Sequence, residues 1–271
     1  MEPNLPPEPI RLPARNLTRR QEASLVPRAP DLDWQTFLAL FRREFRQGQH
    51  VTILGPTQSG KTTLGLEVLD CRDYVLFLAT KRKDPLIAGL ASRGYRISNQ
   101  LDIRARDGQI LDPKFVFWPV QTEISKGKRM DMRQFKVYQE REVRRALNYV
   151  WHSMGWAVYA DETIWLADDL KLRDELETLW FQGATAKISL IASAQRPAWV
   201  PRGAYSSPEH LFFFHTSDKE DLDRLADIGA GINRMVLSEE ITSLKRHEFL
   251  YLQPRSQPPL RIRSKVELGG R

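Results

Sequence analysis

Short apolar runs alternate with amphipathic stretches along most of this chain. His50–Leu54 (HVTIL), Tyr74–Ala79 (YVLFLA), Trp156–Ala160 (WAVYA), Lys187–Ser193 (KISLIAS), Glu209–His215 (EHLFFFH) and Glu248–Leu252 (EFLYL) are apolar, β-branched or aromatic, and predict buried strands. Lys114–Val120 (KFVFWPV) predicts another, and Arg96–Ser98 a short edge. Between the runs the spacing turns helical. Asp33–Phe45 repeats its apolar residues at Trp34, Phe37, Leu38, Phe41 and Phe45. Further helices are expected over Thr63–Leu69, Pro85–Ala91, Asp131–Met154 (closed near Gly155), Ala167–Ala186 and Asp218–Ile228. Such alternation predicts an α/β fold, a mostly parallel sheet flanked by helices on both faces. Ligands in these sheets lie outside the carboxyl ends of the strands, so the residues that follow each run are where chemistry is expected. Residues 1–30, with Pro3, Pro6, Pro7, Pro9, Pro13, Pro27 and Pro30, read as an extended Pro-rich N-terminal arm. Residues 31–253 read as one folded domain and residues 254–271 as a basic C-terminal tail.

The first strand leads into Gly55-Pro56-Thr57-Gln58-Ser59-Gly60-Lys61-Thr62, followed by Thr63 and the helical run. This is an unbroken G-x-x-x-x-G-K-[ST] phosphate loop in strand–loop–helix context, which predicts a site for a nucleoside triphosphate, ATP, with Mg²⁺. Gly55 and Gly60 let the backbone turn tightly against phosphate oxygens. Successive N–H groups and the positive end of the helix then face the anion. Lys61 is expected on the β- and γ-phosphates, and the Thr62 hydroxyl on the metal.

Two more strand ends carry polar chemistry. The run WAVYA ends in Asp161-Glu162, where Asp161 is expected in the metal shell and Glu162 as the base that polarises the attacking water. The run SLIASA ends in Gln195, whose amide is suited to hydrogen-bonding both the lytic water and the γ-phosphate.

Charge adds a possible partner. The 271-residue chain carries a formal net charge of +7, which favours a polyanion beyond the nucleotide. Lys126, Lys128 and Arg129 form a basic loop suited to gripping phosphates without reading bases, and Arg133, Lys136, Arg141, Arg144 and Arg145 continue the bias. Cys71 is the only cysteine, so no intrachain disulfide forms; a reducing, cytoplasmic setting is expected. No apolar run has the roughly 20 residues needed to cross a bilayer, and no signal core is expected at the N-terminus.

The phosphate loop, the Asp161-Glu162 strand end and SLIASAQRPAWVP, followed by LFFFHTSDKEDLDRLADIGAG, resemble the FtsK/HerA superfamily of DNA-pumping ATPases over about residues 48–252. The resemblance implies a RecA-like (ASCE) P-loop NTPase core and a homo-oligomeric ring, pentamer or hexamer, with nucleotide at the subunit interfaces and double-stranded DNA in the channel. It also implies an arginine donated by the neighbouring subunit, with Arg196 and Arg202 the candidates and Arg173 a weaker one. The small size is most similar to viral genome-packaging ATPases. That subfamily implies a portal or other docking protein, no membrane anchor and the host cytoplasm; no separate DNA-reading domain is expected. Conjugation, segregation or secretion ATPases, the last acting on protein or single-stranded DNA, and a nucleotide-gated scaffold are the alternatives.

Overall fold

A computed structural model describes residues 27–81, 84–120, 130–227 and 232–267. The proline-rich arm as far as residue 26, and the basic loop with Lys126, Lys128 and Arg129, lie outside the described residues. Strands β1 (Val51–Leu54), β2 (Val75–Leu78), β3 (Arg96–Ser98), β6 (Lys114–Phe117), β7 (Ala157–Ala160), β8 (Ser189–Ala194), β9 (His210–Phe214), β10 (Glu248–Gln253) and β11 (Leu260–Lys265) form one sheet. A small ribbon of β4 (Ala105–Arg106) and β5 (Gln109–Ile110) stands apart from it. The nine-stranded sheet runs β11-β10-β9-β1-β8-β7-β2-β6-β3. Every pairing from β9 to β3 is parallel, while β10 and β11 join antiparallel at one edge.

Strand alternation divides the core into two layers. In β2, Val75 and Phe77 face one layer and Leu76 and Leu78 the other. The first layer is closed by helix α1 (Trp34–Glu44) and helix α2 (Lys61–Leu69). Phe37 of α1 meets Phe249 and Tyr251 edge-on at ring-centre distances of 5.0 and 5.3 Å. Burial of each such ring stabilises the fold by about 1.5–3 kcal/mol. Asp33 starts α1 by accepting from the Thr36 N–H at 2.9 Å.

Short α3 (Pro85–Gly89) follows β2, and α4 (Met132–Ser153) lies on the opposite face. Asp131 caps α4: its carboxylate accepts from the Gln134 N–H at 2.8 Å, and Gln134 Oε1 accepts from the Asp131 N–H at 3.2 Å. Val143, Ala146, Leu147 and Val150 then recur at helical spacing and are all buried.

The helix expected over Ala167–Ala186 is broken. A π turn, Trp165–Asp169, gives way to Lys171 at φ 53° before α5 (Arg173–Gln182) begins. Leu170 and Leu172 are both fully buried. Residues two apart on one continuous helix point to nearly opposite sides, so both reach the core only if the helix breaks between them.

The C-terminal end also differs from the expectation. Leu260–Lys265 is not a free tail but the edge strand β11, antiparallel to β10. Its arginines are neutralised in place, Arg261 by Glu240 at 3.0 Å and Arg263 by Glu248 at 3.1 Å. The end of the arm packs here as well. Ala29 is buried and donates its N–H to Glu240 at 2.7 Å, and the Pro30 carbonyl accepts from the Arg263 N–H at 2.8 Å. Helices α6 (Gly203–Ser206), α7 (Lys219–Asp227) and α8 (Arg234–Thr242) complete the α-helices of the described residues. The sequence pattern left α8 and the β4–β5 ribbon unassigned.

Two histidines are buried and neutral. His50 Nδ1 accepts the Leu190 N–H at 3.0 Å; burial, then the charge of Arg255, pushes its pKa down to about 4. His210 lies between the Tyr251 hydroxyl (2.8 Å) and Gln49 Oε1 (3.0 Å), and burial, then Arg72, pushes it down to about 3. Both folded values lie below the unfolded value near 6.5, so their contribution is complete above that pH and is lost as pH falls. We expect acid destabilisation between pH 6.5 and 4 of roughly 3 kcal/mol per histidine. Urea unfolding across that window measures it, and His210→Asn should flatten the slope by about one proton.

Candidate active site

Three adjacent strands bring the predicted segments together. β8 lies between β1, which ends in the phosphate loop, and β7, which ends in Asp161-Glu162. The registers pair Leu54 with Ala194 and Ala160 with Ala192, and the Gly55 N–H donates to the Ala194 carbonyl at 3.1 Å. Gln195 therefore emerges between the loop and the carboxylates. Its Oε1 accepts from the Thr57 hydroxyl at 2.8 Å, and its Nε2 donates to Glu162 Oε1 at 2.8 Å.

The loop from Gly55 to Gly60 curls over the start of α2. Gly60 caps that helix at φ 108°, a conformation that favours glycine. A Cβ at Gly55 would lie 2.5 Å from the Phe214 Cβ, so only glycine lets the loop leave the sheet this close to β9. Pro56, Thr57, Gln58 and Ser59 form the bend, with Gln58 at φ 62°. Lys61 is buried, and its ammonium donates to the Pro56 carbonyl at 2.8 Å. Burial lowers its pKa to about 8, against the opposing pull of Glu162 and Asp161.

Thr62 and Asp161, the two residues expected to hold a metal, lie side by side. The Thr62 hydroxyl lies 3.3 Å from Asp161 Oδ1, which the Tyr159 hydroxyl also reaches at 3.4 Å. A hydroxyl beside a carboxylate is a hard oxygen set, and it fits Mg²⁺, which takes few protein ligands and keeps several waters. Thr63 follows in the first turn of α2 and is half-buried.

Lys81 is the residue that the sequence pattern missed. It follows β2, the neighbour of β7, and its ammonium lies 2.8 Å from Asp161 Oδ2, 3.4 Å from Glu162 Oε1 and 4.0 Å from Asp84. Burial lowers its pKa, but Asp161, Glu162 and Asp84 outweigh that, so the net shift is upward. The signal available was position: Lys81 trails its apolar run as Asp161 and Gln195 trail theirs.

Beside the phosphate loop opens a cleft of about 530 Å³, lined among others by Pro56, Ser59, Phe214, His215, Arg246 and His247. The His247 ring holds the loop through a 3.0 Å contact with the Ser59 carbonyl.

The candidate arginines separate. Arg196 is held within the chain by Asp221 (3.1 Å), Asp218 (3.3 Å) and Glu220 (3.6 Å), with its guanidinium over the Trp199 ring. Arg173 pairs with Asp168. Arg202 is exposed, and its side chain has no partner among the described residues. On α4, Lys136 pairs with Asp169, Arg144 with Glu140 and Glu175, and both Arg141 and Arg145 with Glu142. That helix presents less free positive charge than its composition implies; Arg133 remains exposed.

No family model matches the chain, and no curated protein matches it in sequence. Solved structures do match. The genome packaging NTPase B204 of Sulfolobus turreted icosahedral virus 2, in complex with ATP-γ-S, superposes with a TM-score of 0.56 at 16% identity, covering 82% of this chain and 100% of that one. The DNA-packaging ATPase B204 of Sulfolobus turreted icosahedral virus gives 0.53 at 18%, over 80% and 98%. VirB4 of Thermoanaerobacter pseudethanolicus gives 0.54 at 12%, over 81% and 90%. This chain shares their fold, a mostly parallel sheet flanked by helices.

Proposed function

We propose that this chain is a Mg²⁺-dependent ATPase whose turnover drives double-stranded DNA, packaging a viral genome into a capsid. The observation that carries the hydrolytic reading is the Thr57–Gln195–Glu162 chain of hydrogen bonds, which ties the phosphate loop to the candidate base. The triphosphate lies along residues 55–63, with Lys61 turning from the Pro56 carbonyl to the β- and γ-phosphates. The nucleoside takes the cleft beside the loop. Thr62 and Asp161 would hold Mg²⁺, which would supply charge neutralisation for the phosphates. Gln195 orients a water towards the γ-phosphorus, and a Glu162 oxygen takes its proton. The water oxygen bonds to phosphorus as the bond to the β,γ-bridging oxygen breaks, giving ADP and phosphate.

The packaging part is supported by the likeness to the two viral packaging proteins and by the net charge of +7. It implies a ring of five or six subunits, a portal or other docking protein, and duplex DNA held by Lys126, Lys128 and Arg129. Arg202, whose side chain has no partner among the described residues, is the arginine offered to the neighbouring site; Arg196 serves instead to hold α7. Steady-state ATP hydrolysis with and without duplex DNA tests the reading. Acceleration by duplex is expected, with Arg202→Ala lowering turnover by about 10³-fold. Mixing Arg202→Ala subunits with Lys61→Met subunits should restore part of the activity, because each lacks a different half of a shared site. Stimulation by protein or single strands, and not by duplex, would overturn the packaging assignment.

A further inference from the structure

The carboxylate pair already has a cation of its own. Lys81 Nζ lies on Asp161 Oδ2 at 2.8 Å and within 3.4 Å of Glu162 Oε1. Asp161 is 2% exposed, so its two oxygens are almost fully accounted for: Oδ1 by Thr62 and Tyr159, Oδ2 by Lys81.

The backbone that aims Lys81 is fixed on both sides of the peptide. The Trp118 indole N–H donates to the Lys81 carbonyl at 2.6 Å, and the Gln139 amide donates to the Thr80 carbonyl at 3.1 Å. Gln139 is fully buried, and its Oε1 accepts from the Trp165 indole at 3.3 Å. The main chain is thus anchored while the long side chain is free to swing, and that side chain keeps 39% of its surface exposed. Asp84, 4.0 Å away, offers the ammonium a second carboxylate nearer to solvent.

We propose that Lys81 is a built-in competitor for the metal, so that Mg²⁺–nucleotide binding is an exchange in which the ammonium leaves Asp161. An ammonium at hydrogen-bond distance from Asp161 Oδ2 and a divalent ion held by Thr62 and Asp161 are like charges in a poorly screened site, and they repel strongly. Asp84 receives the displaced ammonium. Glu162 loses its Lys81 contact in the same motion, which frees its oxygen for a water. Exchange of this kind makes the base available only where metal and nucleotide are both seated. The proposal rests on the ATPase reading above and names a regulation of that same site.

The test is metal binding rather than turnover. Mn²⁺ affinity is measured by electron paramagnetic resonance with ATP-γ-S present, for the full chain and for Lys81→Met and Lys81→Arg. Lys81→Met is expected to bind Mn²⁺ about tenfold more tightly, while Lys81→Arg, which keeps the charge, stays near the original value. Unchanged or weaker Mn²⁺ binding by Lys81→Met would overturn the proposal and make Lys81 a structural or phosphate contact.

Lys81→Met leaves Asp161 with fewer partners and is the variant at risk of misfolding. A measurement on the unaltered chain covers that risk: acetylation of Lys81 by acetic anhydride, read by peptide mass spectrometry. Labelling should rise several-fold with Mn²⁺ and ATP-γ-S together relative to ATP-γ-S alone; equal or lower labelling overturns the exchange. Failure of the unaltered chain to bind ATP-γ-S at all would overturn the ATPase reading and the proposal with it. Binding without exchange overturns only the proposal.

Discussion

Glu162→Gln is expected to lower ATP turnover by about 10²–10⁴-fold while leaving nucleotide affinity within a few fold. The substitution keeps shape and hydrogen bonding. A glutamine Oε1 still accepts from Gln195 Nε2, the 2.8 Å contact that links this strand end to β8. The negative charge is lost, and with it the capacity to take a proton from water. Stability should change little, because Glu162 is partly exposed and its other contact, to Lys81 at 3.4 Å, is matched on that lysine by Asp161 and Asp84. Single-turnover hydrolysis beside equilibrium binding of a labelled nucleotide separates the two effects. Loss of turnover and binding together would point to a collapsed site. Unaltered turnover would remove Glu162 from the base role and leave Asp161 as the remaining carboxylate to examine.

Lys61→Met should act in the opposite sense on stability and on function. Lys61 is 7% exposed, and among the described residues its ammonium donates to the Pro56 carbonyl. Burial lowers its pKa to about 8, beneath the unfolded value near 10.5. A lowered lysine favours the folded state fully above the unfolded value and loses that contribution as pH falls to about 8. At neutral pH the charged side chain is therefore a cost, up to about 3 kcal/mol, which an apolar replacement removes. We expect Lys61→Met to melt higher than the original chain at pH 7 and to lose nucleotide affinity by about 10²–10³-fold, the scale of breaking a buried charge pair. The triphosphate restores the reason for the charge. Binding at pH 8.5 should accordingly take up a fraction of a proton, measured by calorimetry in buffers of different ionisation enthalpy. A variant that binds nucleotide normally, or one that melts far lower, would show that Lys61 serves the fold and not the phosphate.

Much of this was legible because the informative residues sit at the ends of apolar runs. Gly55–Thr62, Asp161-Glu162 and Gln195 each follow a strand that hydrophobicity alone identifies, and in a parallel sheet strand ends converge. Two errors have one cause. β11 was read as a tail because Arg261 and Arg263 dominate its composition, and α8 was passed over because its pattern is weak. Partners far along the chain decide both cases: Glu240 and Glu248 neutralise the arginines, and Leu237 and Ile241 of α8 pack into the main core. The broken helix before α5 is similar, since periodicity admits a continuous helix until Leu170 and Leu172 both have to be buried.

The amino-acid sequence by itself determined the phosphate loop, the alternation of strands and helices through most of the chain, and which residue types stand at the strand ends. These are local properties, set by side-chain size, backbone freedom and apolar periodicity over a few residues. Tertiary structure alone decided the order of strands in the sheet, and that order places Gln195 between the loop and Glu162. It also decided that Lys81 covers Asp161 and Glu162, that Arg196 is tied to Asp218 and Asp221, and that Arg202 is not. Each of these depends on a charge or a register supplied from tens of residues away, and Coulomb and hydrogen-bond interactions act on distance in space rather than in sequence.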